Sequence, residues 1–193
     1  MYYGAIKKYD IANGPGVRVS LFVSGCEHYC KGCFNSEAWD FSYGNEFNYK
    51  TRDELFTALN AKYIRGLTIL GGEPMHPQNQ LQILDILKDF KFIYDESDKD
   101  LWIYTGYLYE DLVSNKIGKY SEEILKYTDV LVDGPFIQDL KDIGLNFRGS
   151  RNQRIIDVQK SISSGEVILH PLGIGDSDKY IKKEKWYEFM WVI

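Results

Sequence analysis

Eight residues near the start of the chain, Cys26-Glu27-His28-Tyr29-Cys30-Lys31-Gly32-Cys33, hold every cysteine it has. Three thiols cannot form a closed disulfide set, because the count is odd. At offsets of four and three residues they can instead gather as three ligands on one loop around one metal centre. A 4Fe-4S cluster ordinarily takes four thiolates, one per iron. Three cysteines with no fourth would leave one iron open, and an open iron can bind a substrate. The alternative is a structural zinc site with His28, His76 or His170 as fourth ligand, which would make the chain a zinc-binding interaction module. Structural zinc usually joins two separated ligand pairs and ties a small fold together. Here all the thiols lie on one short run, so the cluster is the expectation.

Other candidates are weaker taken singly. Gly71-Gly72-Glu73-Pro74 is either a strand-to-helix turn or a place where missing side chains let backbone touch a ligand. Gly14-Pro15-Gly16-Val17-Arg18 is either a turn ahead of a strand or a loop shaping a pocket mouth. Thr105-Gly106-Tyr107 and Asp133-Gly134-Pro135 have the composition of turns. Phe34, beside Cys33, can stack on a flat ring or join the core. No Ser-His-Asp set and no paired carboxylates can be argued, so no general acid or base is assigned. His28 is expected to be a loop residue.

These residues need elements to position them. Val17 to Val23 is β-branched and nearly alternating, which predicts a strand running straight into the cysteines. Leu67 to Leu70, Leu101 to Tyr104 and Asp129 to Val132 predict three more. Between them lie helical patterns: one opening at a Thr51-Arg52-Asp53-Glu54 capping box and carrying Leu55, Phe56, Leu59 and Tyr63 on one face, one over 77–90, one over 108–115, and one beginning near Ser121. Strands alternating with helical crossovers predict a mainly parallel sheet or an incomplete αβ barrel. Each of the four strands ends in an unusual loop, and ligands bind at that edge of parallel αβ folds. Met1 to Ile11 can hold a short edge strand. Residues 154–158 and 167–169 can be strands, Gly173 and Gly175 belong to a loop, and the tail from Trp186 to Ile193 is aromatic.

Composition bounds the rest. A chain of 193 residues, 44% hydrophobic and 26% charged, fits one globular domain over 1–193. Lys plus Arg total 23 against 28 Asp plus Glu, a net charge of −5 with no basic patch, which gives no support to nucleic-acid binding. No apolar run suits a membrane span or a signal peptide. Clustered thiols without an export signal suggest the reducing cytoplasm.

Cys-x3-Cys-x2-Cys resembles the cluster motif of the radical S-adenosylmethionine (SAM) enzymes. The run from Gly14-x-Gly16-x-Arg18 through Phe22 to Gly25-Cys26 is similar to the signature of those that install glycyl radicals. Trp102 to Tyr107, Val130 to Gly134 with Phe136, Gln138 to Asp142, and Arg148 to Ser150 with Asn152 and Gln153 resemble the activating enzymes of anaerobic, class III ribonucleotide reductase. The likeness covers residues 1–157. Residues 158–193 match nothing in it, so that C-terminal extension has no assigned role. Most radical SAM enzymes carry an aromatic where this chain has Gly32, and the ribonucleotide-reductase activators share that glycine.

The resemblance implies an open αβ barrel of the radical SAM type, with Cys26, Cys30 and Cys33 on three irons. The fourth iron would chelate the amino and carboxylate groups of SAM. Gly32, Cys33 and Phe34 would lie by the cofactor, Gly32 and Phe34 on its nucleoside side, and Gly72 would offer backbone to the methionyl part. A flavodoxin- or ferredoxin-type donor would supply an electron, SAM would split to a 5′-deoxyadenosyl radical, and that radical would take a hydrogen atom from a glycine of the anaerobic ribonucleoside-triphosphate reductase large subunit. Another glycyl-radical enzyme, or a small molecule, is the alternative target.

Overall fold

A computed structural model of the chain describes residues 1–174. The expected loop glycine Gly175 and the aromatic tail lie outside the described residues. Among these, seven strands form one sheet in the order β3-β1-β2-β4-β5-β6-β7. They are β1 (Tyr2–Asp10), β2 (Val17–Val23), β3 (Asn45–Glu46), β4 (Ile64–Gly71), β5 (Asp100–Tyr104), β6 (Val130–Asp133) and β7 (Arg154–Asp157). The middle four, β2, β4, β5 and β6, run parallel. β1 pairs antiparallel with β2, and β7 antiparallel with β6. The fold is therefore mixed α/β with a parallel centre and antiparallel flanks.

Helices supply the crossovers: α1 (Tyr49–Leu59), α2 (Pro77–Tyr94), α3 (Tyr109–Val113) and α4 (Ser121–Tyr127), with α5 (Val158–Ser164) after the last strand. Register sorts the strand residues into two faces. Leu21, Ile69, Ile103, Leu131 and Ile156 form one row across five strands, and with Val19, Leu67 and Leu101 they meet Leu55, Ile83, Leu87, Leu112, Ile124 and Val158 in the main core. Burial of this apolar surface is what holds the helices to the sheet. The opposite face carries Trp102, Val130, Val132 and Ile155, covered by Phe147 from a loop and by Leu172 from the 3-10 turn at Pro171–Gly173.

Four sequence expectations need correction. The capping box at Thr51 is not used: Asn48 caps α1, its side chain accepting from Lys50 N and Thr51 N, which leaves Thr51 within the first turn. Tyr63 lies past the end of α1 and is exposed. β1 spans nine residues, and β3 covers it only at Tyr2 and Tyr3. Residues 167–169 form no strand; Leu169 makes an isolated bridge to Ile156.

The Gly14 to Arg18 turn sits at the amino ends of the parallel strands, away from the cysteines, since Val17 pairs with Ile64 at the start of β4. Arg18 is completely buried there. It donates to Thr68 Oγ1 at 2.7 Å, Leu67 O at 3.0 Å and Asp100 Oδ1 at 2.5 Å, and lies 5.4 Å from the Trp102 ring. This motif pins the floor of the sheet and does not shape a pocket mouth.

No helix among the described residues is long and apolar enough to cross a membrane.

Candidate functional site

The cysteine loop leaves the carboxyl end of β2 and has no regular structure until a 3-10 turn at Ser36–Trp39. Short backbone bonds fix its start: Gly25 N donates to Ala38 O at 2.8 Å and Cys26 N to Trp39 O at 3.2 Å. Further on, Cys33 N donates to Cys30 O at 3.1 Å. Cys26 is buried, Cys30 and Cys33 are partly open, and all three are free thiols. Burial pushes the Cys26 thiol up to about 12, with the Glu73 carboxylate adding to it, while the His28 backbone N–H pulls the other way. Burial also raises Cys30, opposed by the Phe136 backbone N–H. Thiols held up in this way become thiolates when a cationic metal centre stabilises the negative sulfur. Three thiols on one loop are a donor set that an iron-sulfur cluster can take.

A single metal ion fits less well. Among the described residues no three His, Cys, Asp or Glu groups converge as one ion requires. The three histidines are also committed elsewhere. His28 Nε2 pairs with Glu73 Oε2 at 2.8 Å, and His76 Nε2 with Glu27 Oε2 at 3.2 Å. His76 Nδ1 accepts from Gln78 N and caps α2, and His170 Nδ1 accepts from Leu172 N.

The four strand-end loops come together, and Glu73 is what joins three of them. Glu73 follows β4 and is completely buried. Its Oε1 accepts from Met75 N at 2.8 Å and Thr105 Oγ1 at 2.7 Å; its Oε2 accepts from Gly106 N at 2.7 Å and pairs with His28. The loops after β2, β4 and β5 thus meet on one carboxylate. The loop after β6 reaches the same place through Gly134 N, which donates to Tyr107 O at 3.1 Å, and through Phe136 beside Cys30.

The glycines are where the loops touch. A Cβ on Gly72 would stand 2.7 Å from Gly25 O and 2.8 Å from Ala38 O. Gly32 has φ +74°, and Gln138 Oε1 lies 1.9 Å from where its Cβ would be. The space that a side chain at 32 would fill is taken by a glutamine from the β6–β7 connection. Phe34 is 84% exposed, so it has not joined the core.

In the sequence, Glu73 and Gln138 stand inside quoted motifs without a role of their own, and Asn79 is not singled out. Asn79 Nδ2 donates to both Ser24 O and Glu73 O at 3.0 Å. A carboxylate set between a glycine pair and a proline at a strand end was the available signal for Glu73. Gln138 opens one of the family-like motifs, but nothing local marks it as the neighbour of Gly32, more than a hundred residues away.

A family model described as a 4Fe-4S single cluster domain matches residues 12–156. The anaerobic ribonucleoside-triphosphate reductase-activating protein of Vibrio cholerae serotype O1 is 42% identical over 157 residues, covering 80% of this chain and 97% of its own. Its namesake from Enterobacteria phage T4 is 42% identical over 155 residues, covering 80% and 93%. The Escherichia coli K12 protein of the same name is 42% identical over 156 residues, covering 79% and 96%.

Proposed function

The chain belongs to the 4Fe-4S single cluster domain family and to the anaerobic ribonucleoside-triphosphate reductase-activating proteins, and on that premise we propose that it installs a glycyl radical on such a reductase. The observation that carries the reading is that all three cysteines share one loop, that His28 ties this loop to Glu73 of the β4 loop, and that the loops after β5 and β6 join the same network through Gly106 and Gly134. Cys26, Cys30 and Cys33 would each hold one iron of a 4Fe-4S cluster, leaving the fourth for the amino and carboxylate groups of SAM. Bound together, cluster and SAM would supply a 5′-deoxyadenosyl radical able to take a hydrogen atom from a glycine of the partner.

The chain's own residues position and exclude water. Gly72, with no side chain, lets the β4 loop lie against Gly25 and offers backbone to the methionyl group. Gly32 and Phe34 would line the nucleoside side, Phe34 from its exposed position on the rim. Glu73 fixes the mutual spacing of three loops. No residue is assigned a proton-transfer role. We take the sheet, helix-covered on one face, to be the wall of an open αβ barrel, and 1–193 to be one domain, with 158–193 as its C-terminal extension. An external flavodoxin- or ferredoxin-type donor would bring the electron, in the cytoplasm.

Anaerobic reconstitution with iron and sulfide, reduction and addition of SAM should yield 5′-deoxyadenosine. Adding the reductase should give the doublet of a glycyl radical in electron paramagnetic resonance. A loaded, reduced cluster that releases no 5′-deoxyadenosine rules the reading out; 5′-deoxyadenosine without a radical on the reductase moves the activity to another target.

A further inference from the structure

Two adjacent residues of the cysteine loop reach the β4 loop with opposite polarity. Glu27 contributes a carboxylate to His76, and His28 an imidazole to Glu73. Both β4-side partners are buried, Glu73 completely and His76 to within 6%. Between Cys26 and Cys30 these side chains are the ties from the loop to the β4 edge, and the backbone there turns through Tyr29 at φ 48°. The arrangement also fixes register. Slipping the loop by one residue would set Glu27 against Glu73, carboxylate against carboxylate, which repels. The four acceptor positions of Glu73 are filled by Met75 N, Thr105 Oγ1, Gly106 N and His28, so removing His28 leaves one position empty in a buried site.

We propose that Glu27 and His28 are positioning residues for SAM. Resting on the reading of the chain as an activating enzyme, the crossed pairs set the separation between the loop that carries the cluster ligands and Gly72, which would offer backbone to the methionyl group. A ligand gripped from both sides needs that separation held to a fraction of an ångström, because small misplacements carry large costs.

The test uses full-length protein loaded anaerobically with the cluster. SAM affinity is measured by equilibrium dialysis, alongside the change SAM causes in the resonance spectrum of the reduced cluster. Iron and sulfide content should stay at the wild-type level in His28→Ala and Glu27→Ala, while SAM affinity falls roughly tenfold and the spectral change shrinks. His28→Gln, which keeps an N–H for Glu73, should recover most of the affinity. The exchange Glu27→His with His76→Glu should do better than Glu27→Ala, since a glutamate at 76 can still cap α2. Wild-type affinity in both alanine variants overturns the proposal, as does failure of the glutamine and of the exchange to restore binding. Iron lost in step with SAM binding also overturns it, because that marks a purely structural tie. A wild-type protein that holds its cluster but binds no SAM overturns the activating-enzyme reading itself, and this inference with it.

Discussion

Gly72 and Gly32 both stand where another loop comes close, yet the neighbours differ in what they can yield. The oxygens facing Gly72 belong to the backbone of Gly25 and Ala38, which is itself hydrogen-bonded. Gly72→Ala must therefore push two loops apart, at about 1–3 kcal/mol of overpacking, and is expected to lower both iron content and melting temperature. The group facing Gly32 is the far end of the exposed Gln138 side chain, which can swing away. Gly32→Ala then costs about 1–2 kcal/mol for its positive φ and should still take up iron. Iron assays and thermal melts on the two variants check the ranking; equal iron loss in both would contradict it. Cys30→Ala, by contrast, is expected to abolish SAM cleavage while the protein stays folded, since Cys30 is half-open and its loss leaves little cavity. Turnover above background in that variant would mean Cys30 is not a ligand.

Among the elements, the four parallel strands were legible because each is a short apolar run closed by glycine, proline or a turn, and buried strands carry that signature. What was not legible is how β7 closes the sheet. Its antiparallel run beside β6 depends on Arg154, which reaches across to Asp133 at the end of β6 and to Glu110 in α3. Asp133 is fully buried; burial holds its carboxyl above the ordinary value, with the Arg154 guanidinium only partly opposing it. Such a triad is set by residues 21 and 44 positions apart, so no local pattern announces it. Asn48 shows the same limit at short range. Thr51-x-x-Glu54 matches a capping box, but a better acceptor three residues earlier takes the helix start. Arg154→Met would strand Asp133 without its cation and should destabilise the fold by about 3–5 kcal/mol. Pairing it with Asp133→Asn should recover part of that loss. Urea titrations of the single and double variants read it directly, and a single variant within about 1 kcal/mol of wild type would show that the pair contributes little.

Over the whole molecule, the match to the 4Fe-4S domain ends at 156, yet the fold does not end there. Val158 is completely buried in the main core, and His170 N donates to Ile155 O at 2.8 Å along the outer edge of β7. Leu172 and the His170 ring then cover Trp102 on the sheet face opposite the main core. His170 and Leu172 therefore do for that face what the α-helices do for the other, although no local pattern in the sequence announces it. Every contact described around the cysteines, by contrast, lies within residues 23–138. Two truncations separate these roles. A chain ending at Ile174 keeps the cover over Trp102 and the burial of Val158 and serves as the reference. One ending at Asp157 exposes Trp102 and removes Val158 from the core, a loss of about 3 kcal/mol or more for the apolar burial alone, and should melt earlier and lose iron during purification. If the shorter chain matched the longer one in melting and iron content, the cover over Trp102 would be dispensable, and residues 158–174 would have to be explained by something other than the stability of the sheet beneath them.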